Sequence, residues 1–234
     1  MKIDTNFDHR SDAGGKDPDS ASPTLRRHHQ ILWSKPLPSG KVFALSQEGG
    51  SYLAHRSELG EFTVSSDTIV NSLRARKASS ELIAQIEGEE LDAFQKLGAT
   101  IGGRLIFPSN RVEGKPTINV ARGFSARIGD RFDLTLECIR RHYLGEASPL
   151  QAPLARYSSF FELFESFEGY VDFFLLDDLV KDSKVKFFLP FSGEFGTNSL
   201  PQTKPQYMEY MRNSMEFVAS RNKRVDKWAA SPGP

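Results

Sequence analysis

The sequence predicts an α+β fold, with a mixed or antiparallel sheet and helices packed against it in a single compact domain. Strand-like and helix-like segments are mixed along the chain without the regular βαβ alternation of a doubly wound sheet. The 234 residues are 38% hydrophobic and 26% charged, which is ordinary for a globular domain with a buried core. No internal repeat is found. The pattern divides the chain into an extended N-terminal segment (1–23), the domain (24–228) and a flexible tail (229–234).

The first third of the chain predicts a short helix followed by a small antiparallel meander. Ser22 or Thr24 can cap a helix that runs to Trp33, and the prolines at 36 and 38 end it. Short β-like runs separated by Gly49-Gly50 and Gly60 follow. These three predicted strands are 42–45, 51–54 and 61–65.

The middle of the chain predicts two helical stretches around a pair of strands. Residues 79–97 are helical with a break at Gly88, and 128–143 has the clearest helical spacing of apolar residues. The strands are 100–107 and 115–120. Gly102 and Gly103 inside the first of them indicate a bulge or a close approach of another backbone.

The last third predicts a helix over 149–167, a strand over 184–191 and a long terminal helix over 206–228. One face of the terminal helix carries large apolar side chains at helical spacing. These are Tyr207, Met211, Met215 and Val218. The stripe could add a dimer contact.

Charge is balanced overall but unevenly distributed. The formal net charge is zero, which excludes a uniformly cationic nucleic-acid coat protein. Residues 101–145 hold eight cations, seven of them Arg, against four acids, whereas 146–200 hold nine acids against four bases. Either the two segments pack together and pair their charges, or the arginines bind a phosphate or carboxylate, which suits the fixed donor geometry of guanidinium.

Several protein classes are disfavoured. The single cysteine, Cys138, excludes an internal disulfide framework and fits a reducing compartment. The polar start of the chain has no signal-peptide pattern and there is no 18-residue apolar run, so we expect a cytoplasmic protein without a membrane segment. The sequence lacks P-loop, dinucleotide-binding, zinc-binding and serine-hydrolase motifs.

The first candidate site is near the N-terminus. Arg26 and His29 lie three residues apart and share a helix face with Trp33. His29 could transfer a proton, and Asp17 or Asp19 could orient it or hold Mg²⁺. The alternative is that one of the adjacent histidines packs under Trp33 and the other is solvated.

The second candidate is the predicted strand–turn–strand with its flanking arginines. Asn and Arg side chains at strand ends can bind a phosphate or the edge of a base. Local turn chemistry and charge pairing are the alternative. The candidate ligand-binding residues are Arg104, Asn110, Arg111, Asn119, Arg122 and Arg131.

A third group lies on the helix that follows. Asp130, Asp133 and Glu137 share one face, which could bind Mg²⁺ through carboxylate oxygens. Glu137 and Arg141 are also spaced as an i,i+4 pair, which is typical of a salt-bridged surface helix. A buried, inert thiol is the expectation for Cys138.

Several blocks resemble one bacterial family, a domain of unknown function. They are KDPDS (16–20), TLR with His29 and LWSK (24–35), IGG with IFP (101–108), NR (110–111), TIN (117–119), ARGF (121–124), DRFDLTLECIRRHY (130–143) and GYVDFFL (169–175). The resemblance covers most of the chain and implies a free-standing bacterial cytosolic protein, with no activity or catalytic residues to carry over. His28 departs from the tyrosine expected there, which directs attention to His29.

Two functional hypotheses follow. The first is an enzyme or binding protein for a phosphate-bearing ligand, such as a nucleotide or a nucleic-acid end, with arginines holding the anion, Asn119 orienting it and His29 moving the proton. The second is a non-catalytic interaction or oligomerising module. Its arginine-rich segment would dock an acidic partner or the acidic segment of a second copy, and the terminal helix could add a dimer contact. A toxin or phage-defence component is a further alternative.

Overall fold

The computed structural model describes residues 3–47, 52–70, 73, 77–196 and 199–231. These residues form the predicted α+β fold, with a four-stranded and a two-stranded sheet, both antiparallel. The helices are α1 (Pro18–Ala21), α2 (Pro23–Trp33), α3 (Lys77–Ile83), α4 (Gly88–Gly98), α5 (Ile118–Phe124), α6 (Phe132–Leu144), α7 (Gln151–Ala155), α8 (Ser158–Glu162), α9 (Phe167–Phe173) and α10 (Lys204–Ala230). The strands are β1 (Ser46–Gln47), β2 (Leu53–Ser57), β3 (Gly60–Thr68), β4 (Arg104–Pro108), β5 (Val180–Lys181) and β6 (Lys184–Val185).

The larger sheet has the strand order β1-β2-β3-β4. Its nine-residue strand β3 pairs with β2 on one side, where Val64 opposes Leu53, and with β4 on the other, where Thr68 opposes Arg104. Strand β4 is buried along its whole length, whereas residues 65–68 of β3 are partly exposed. The sheet therefore places a polar stretch of β3 next to a buried arginine.

The N-terminal residues pack against the rest of the domain. Asp17 caps α1 and Ser22 caps α2, and each helix has a proline in its first turn, as helix-start chemistry favours. The side chains of Ile3 and Ala13 are buried. This part of the chain also contains three buried histidines, each less than a tenth exposed: His9, His28 and His29.

The meander differs in detail from its prediction. Residues 42–45 form no strand beyond a single bridge between Val42 and Pro36, and β1 begins at Ser46 instead. The Gly49-Gly50 break and residue 51 of the predicted strand 51–54 lie outside the described residues. Residues 61–65 fall within β3, as predicted.

The middle segments contain one wrong prediction and two shifted boundaries. Residues 115–120 are not a strand, because the Thr117 side chain accepts a hydrogen bond from the Val120 backbone and begins helix α5. The predicted strand 100–107 opens with a 3-10 turn over Ile101–Gly103. Helix α6 begins four residues late, since Asp130 has a left-handed backbone with φ of 61°.

The C-terminal predictions are partly wrong. The predicted helix 149–167 is broken into α7 and α8, and Glu165, with φ of 62°, separates α8 from the unpredicted α9. The predicted strand 184–191 pairs only at Lys184–Val185. Helix α10 contains the predicted range 206–228 and extends it at both ends.

Helix α10 runs through the core rather than along an outer surface. Tyr207, Met211 and Val218 on its apolar face are at most 3% exposed, and Met215 is partly buried against the same core. The expected dimer contact through this stripe is therefore wrong, because the chain's own core occupies it. Among the helices of the described residues, none is long and apolar enough to cross a membrane.

The arginines of 101–145 are mostly paired, but not as expected. Arg104 pairs with Asp19, and Arg122 pairs with Asp67 and Asp130, all of which lie outside 146–200. In the described part of the chain, Glu146 is the one acid of the acidic segment that pairs with this arginine-rich segment. The arginines are thus neutralised by Asp19 and Asp67 of the N-terminal third and by acids of their own segment, Asp130, Asp133 and Glu137.

Candidate functional site

Two neighbouring cavities of about 410 Å³ each open where α1, β3, β4 and the loop before α5 meet. They share Asp17 and Asp19 in their walls. We call them the acid-lined cavity, which also contains Asp67 and Asp130, and the hydroxyl-lined cavity, which also contains Arg111. Their size is in the range of small-molecule sites.

The carboxylate of Asp19 is held from two sides. The Arg104 Nη1 donates to Oδ2 at 2.8 Å, and the Ser66 hydroxyl donates to Oδ1 at 2.5 Å. Pairing of β3 with β4 brings Ser66 close to Arg104, and α1 packs against β3. Asp19 therefore reaches partners 85 and 47 residues away in the sequence. Asp19 is therefore fixed in orientation at the boundary of both cavities.

A chain of hydrogen bonds connects Asp19 to the core. The Trp33 indole N–H donates to His29 Nδ1 at 2.9 Å, and His29 Nε2 lies 2.9 Å from the Ser66 hydroxyl. Because an indole N–H can only donate, His29 Nδ1 must accept and the ring proton must sit on Nε2. His29 thus donates to Ser66, and the Ser66 hydroxyl is left to donate to Asp19. We call this series the Trp33–Asp19 chain.

Burial keeps His29 neutral. Its side chain is 2% exposed, and desolvation holds its pKa well below the usual value, with nearby His9 and Arg221 adding to the effect. His29 is not among the wall residues of either cavity. These contacts favour a role in orienting Ser66 and Asp19.

Behind the wall of the acid-lined cavity lies Arg122, which is fully buried. Its Nη1 donates to Asp67 Oδ2 at 2.7 Å, and its Nε lies 3.4 Å from Asp130 Oδ1. Desolvation raises the pKa of Asp67 to about 6 against the lowering effect of Arg122, and the carboxylates of Asp19 and Asp130 add to the rise. This cavity therefore contains a carboxyl group that titrates near neutral pH.

The hydroxyl-lined cavity presents unused hydrogen-bonding groups. Within the described residues, Arg111 makes no ion pair or hydrogen bond, and its side chain is exposed. The Asn119 amide donates weakly to β3, 3.4 Å from Ser65 Oγ and Ser66 O, and its buried Oδ1 has no partner. Hydroxyl-bearing residues complete the wall: Ser20, Tyr52, Ser65, Ser66, Ser109 and Thr117.

A match to a protein family covers nearly the whole chain. Residues 3–225, which include every residue of both cavities, match the model of a family of unknown function, DUF6994. The chain belongs to DUF6994. The resemblance to a family of unknown function is confirmed by this match, which attaches no activity to it. No curated protein matches the chain, and neither does any solved structure.

The DUF6994 fold brings together five of the predicted site residues on the cavity walls. These are Asp17, Asp19, Arg104, Arg111 and Asn119. One carboxylate oxygen of Asp17 caps α1 by accepting a hydrogen bond from the Asp19 backbone N–H. The site thus combines residues from α1, β4, α5 and the loop before it.

The other predicted ligand-binding residues lie away from the open cavity surface. Arg26 reaches only the Ser20 carbonyl at 3.4 Å, and Asn110 is exposed. Arg122 is fully enclosed beneath Asp67. Arg131 is buried against Asp133, with further bonds to two backbone carbonyls.

The expected carboxylate face on α6 is not formed. Asp130 precedes the helix, Asp133 is buried with Arg131, and Glu137 is bound by Arg140 and Arg141. The three acids are paired with arginines, as the salt-bridge alternative expected, but residues 132–139 are buried, so α6 is not a surface helix. Across the described part of the chain, no three His, Cys, Asp or Glu residues are grouped so as to hold a metal ion.

Sequence reasoning missed Ser66 and Asp67. Both belong to β3, where four consecutive residues from Ser65 to Thr68 are polar. A strand with one apolar face would alternate there, so the loss of alternation was the available signal. The loss of alternation does not show which groups the polar residues face, because those groups come from β4 and α1.

Proposed function

We propose that this DUF6994 protein binds a small phosphate-bearing molecule in the hydroxyl-lined cavity, with Asp19 as the group that acts on it. The observation that carries the proposal is Arg111, an arginine without a partner in the described structure, on the wall of a cavity rich in hydroxyl groups. Guanidinium and hydroxyl donors together suit a phosphate group.

The charge balance around the cavities supports Arg111 as the anion-binding residue. Three other arginines lie at the acid-lined cavity, and each is paired: Arg10 with Asp8, Arg104 with Asp19 and Arg122 with Asp67. Their positive charge is therefore already neutralised, whereas the charge of Arg111 is free for a ligand. Asp17 and Asp19 line the same wall as Arg111, and Asp19 is already paired with Arg104. Asp67 and Asp130 of the neighbouring cavity would repel the phosphate and direct it toward Arg111.

Two further groups favour a nucleotide or a nucleic-acid end as the ligand. The Tyr52 side chain is 48% exposed while lining the cavity, so its ring is available for stacking with a base. The free Oδ1 of Asn119 can accept from a base amino group or a sugar hydroxyl.

Asp19 would accept a proton from a bound hydroxyl group or water. Its position between the cavities gives it access to the ligand, and the Trp33–Asp19 chain and Arg104 fix its orientation. A fixed carboxylate avoids the cost of ordering it during the reaction. His29 is then a positioning residue, and Asp17 lies beside Asp19 where Mg²⁺ brought with the phosphate could be held.

An interaction module is the second candidate, favoured by the exposed face of α5. Phe124 is 84% exposed and Val120, one turn earlier, is 41% exposed. An exposed apolar pair of this kind suits a protein contact. A toxin or phage-defence component could use either surface.

Thermal unfolding with ligands tests the first proposal. The probes are inorganic phosphate, nucleoside monophosphates and a short 5′-phosphorylated oligonucleotide. A probe at about 100 times its Kd adds about 2.7 kcal/mol, or about 5–10 °C in Tm for a domain of this size. R111A should abolish this shift. K115A, which removes a cation from the same loop without touching the cavity wall, should retain it.

Two results would contradict the proposal. One is the absence of a Tm shift in the wild-type protein with every probe. The other is an equal loss of the Tm shift in R111A and K115A. A concentration-dependent dimer in light scattering that is lost in F124S, together with an absence of ligand shifts, would support the interaction module.

A further inference from the structure

A third cavity of about 590 Å³ shares no wall residue with the two cavities of the candidate site. It lies beside the turn after α2, between α9 and the end of α10. Apolar walls come from Leu37, Phe173 and Trp228, and two acids, Glu168 and Asp172, also line it. Lys35 is the only amine on its wall among the described residues.

The Lys35 amine is surrounded by aromatic rings. Its Nζ lies 4.7 Å from the ring centre of Phe173, 5.4 Å from that of Trp33 and 5.5 Å from that of Trp228. Within the described residues it makes no hydrogen bond and no ion pair. A lysine amine is ordinarily hydrated at the surface. Here ring faces replace much of that water, and their attraction for the ammonium opposes the effect of desolvation on its pKa.

Desolvation makes the amine easier to deprotonate. Burial lowers the pKa of Lys35 from 10.5 to about 8, with Asp172 opposing the shift and Arg221 adding to it. At pH 7 about one molecule in ten then carries a neutral amine, against about one in 3,000 for an unshifted lysine. The neutral amine is the nucleophilic form.

We propose that Lys35 is a nucleophilic amine that forms an imine with an uncharged aromatic or aliphatic aldehyde or ketone bound in this cavity. The aromatic and aliphatic walls favour an apolar ligand body. Glu168 and Asp172 disfavour a carbonyl compound with its own negative charge. The acids thus restrict the ligand class that the apolar walls would otherwise admit.

The reaction balances without an oxidant or reductant. The amine nitrogen bonds to the carbonyl carbon, the carbonyl oxygen takes up a proton and the nitrogen loses one, giving a carbinolamine. The C–O bond then breaks, water leaves and the nitrogen loses its second proton to give the neutral imine. Asp172 and Glu168 line the same cavity and can exchange these protons with the reacting nitrogen and oxygen atoms.

Reductive trapping on the full chain tests the proposal. The protein is incubated with benzaldehyde and sodium cyanoborohydride, which reduces an imine to a stable secondary amine, and labelled lysines are identified by peptide mass mapping. Lys41 is the internal control, because it is exposed on the following turn and paired with Glu58 at 3.6 Å. We expect labelling at Lys35 to exceed that at Lys41 by about tenfold or more at pH 7.

Two comparisons sharpen the result. 4-Carboxybenzaldehyde should label Lys35 less than benzaldehyde does, and K35R should remove the dominant label while K41R retains it. The wild-type map decides the matter even where K35R fails to fold. Equal labelling of Lys35 and Lys41, or a Lys35 labelling rate that rises only above pH 10, would overturn the proposal.

Discussion

Replacing Ser66 with alanine tests the Trp33–Asp19 chain directly. Ser66 accepts from His29 Nε2 at 2.9 Å and donates to Asp19 Oδ1 at 2.5 Å. S66A removes both bonds and leaves the backbone of β3 unchanged. Because Trp33 fixes the tautomer of His29, the Nε2–H of the variant has no acceptor among its present neighbours.

The expected cost follows from the burial of the two partners. His29 is 2% exposed, so an orphaned N–H there costs about 1–3 kcal/mol. The side chain of Asp19 is 17% exposed and keeps Arg104, so water can replace its lost bond in part. We therefore expect S66A to lower the free energy of unfolding by about 2 kcal/mol, which is about 4–8 °C in Tm for this chain length.

S65A is the matched control for this measurement. Ser65 is the preceding residue on β3 and also lines the hydroxyl-lined cavity, but its hydroxyl makes only a weak contact with Asn119 at 3.4 Å. Urea unfolding followed by circular dichroism should place S65A within about 0.5 kcal/mol of the wild type. If S66A and S65A unfold at the same urea concentration, the Trp33–Asp19 chain does not hold Asp19 in place.

Two further predictions concern stability. Burial lowers the pKa values of His9, His28, His29 and His142, so below about pH 6.5 the unfolded state binds protons that the folded state does not. The raised pKa of Asp67 opposes this effect. The free energy of unfolding from urea titrations should therefore fall as pH is lowered from 6.5 to 4.5, by about 1.4 kcal/mol per pH unit for each net proton, and a flat profile would contradict the assignment. Thermal unfolding should show G102A less stable than the wild type by about 1–3 kcal/mol, because the new Cβ would overlap the Asn222 side chain. G123A has open space around its Cβ and should be more stable by up to about 1 kcal/mol. Equal effects of the two substitutions would refute the close approach at Gly102.

The sequence indicated either a bulge or a close backbone approach at Gly102 and Gly103. The structure shows a close approach, in which the Asn222 amide oxygen accepts from the Gly102 backbone at 2.8 Å. The partner helix was not visible, since it lies 120 residues along the chain. Local sequence shows that space is needed and does not show what fills it.

The arginine-rich segment shows the same limit for the candidate site. The sequence singled out Arg104, Arg111, Arg122 and Arg131 as one set because their chemistry is identical. In the fold they differ: three are buried in ion pairs, and Arg111 alone among them is free in the described structure. Burial and pairing depend on the acids that β3 and α1 bring near, and these lie 40 or more residues away for Arg104 and Arg122.

The sequence by itself determined the α+β class, the presence of α2 and α10, and family membership. These depend on composition, on periodicity within one element and on residues read in order, all of which are local. Only the tertiary structure decided that Asp19 is the fixed carboxylate, that His29 lies behind it and that the face of α10 is core. Each of these depends on which distant elements pack together, because hydrogen bonds, desolvation and pKa shifts arise from neighbours in space.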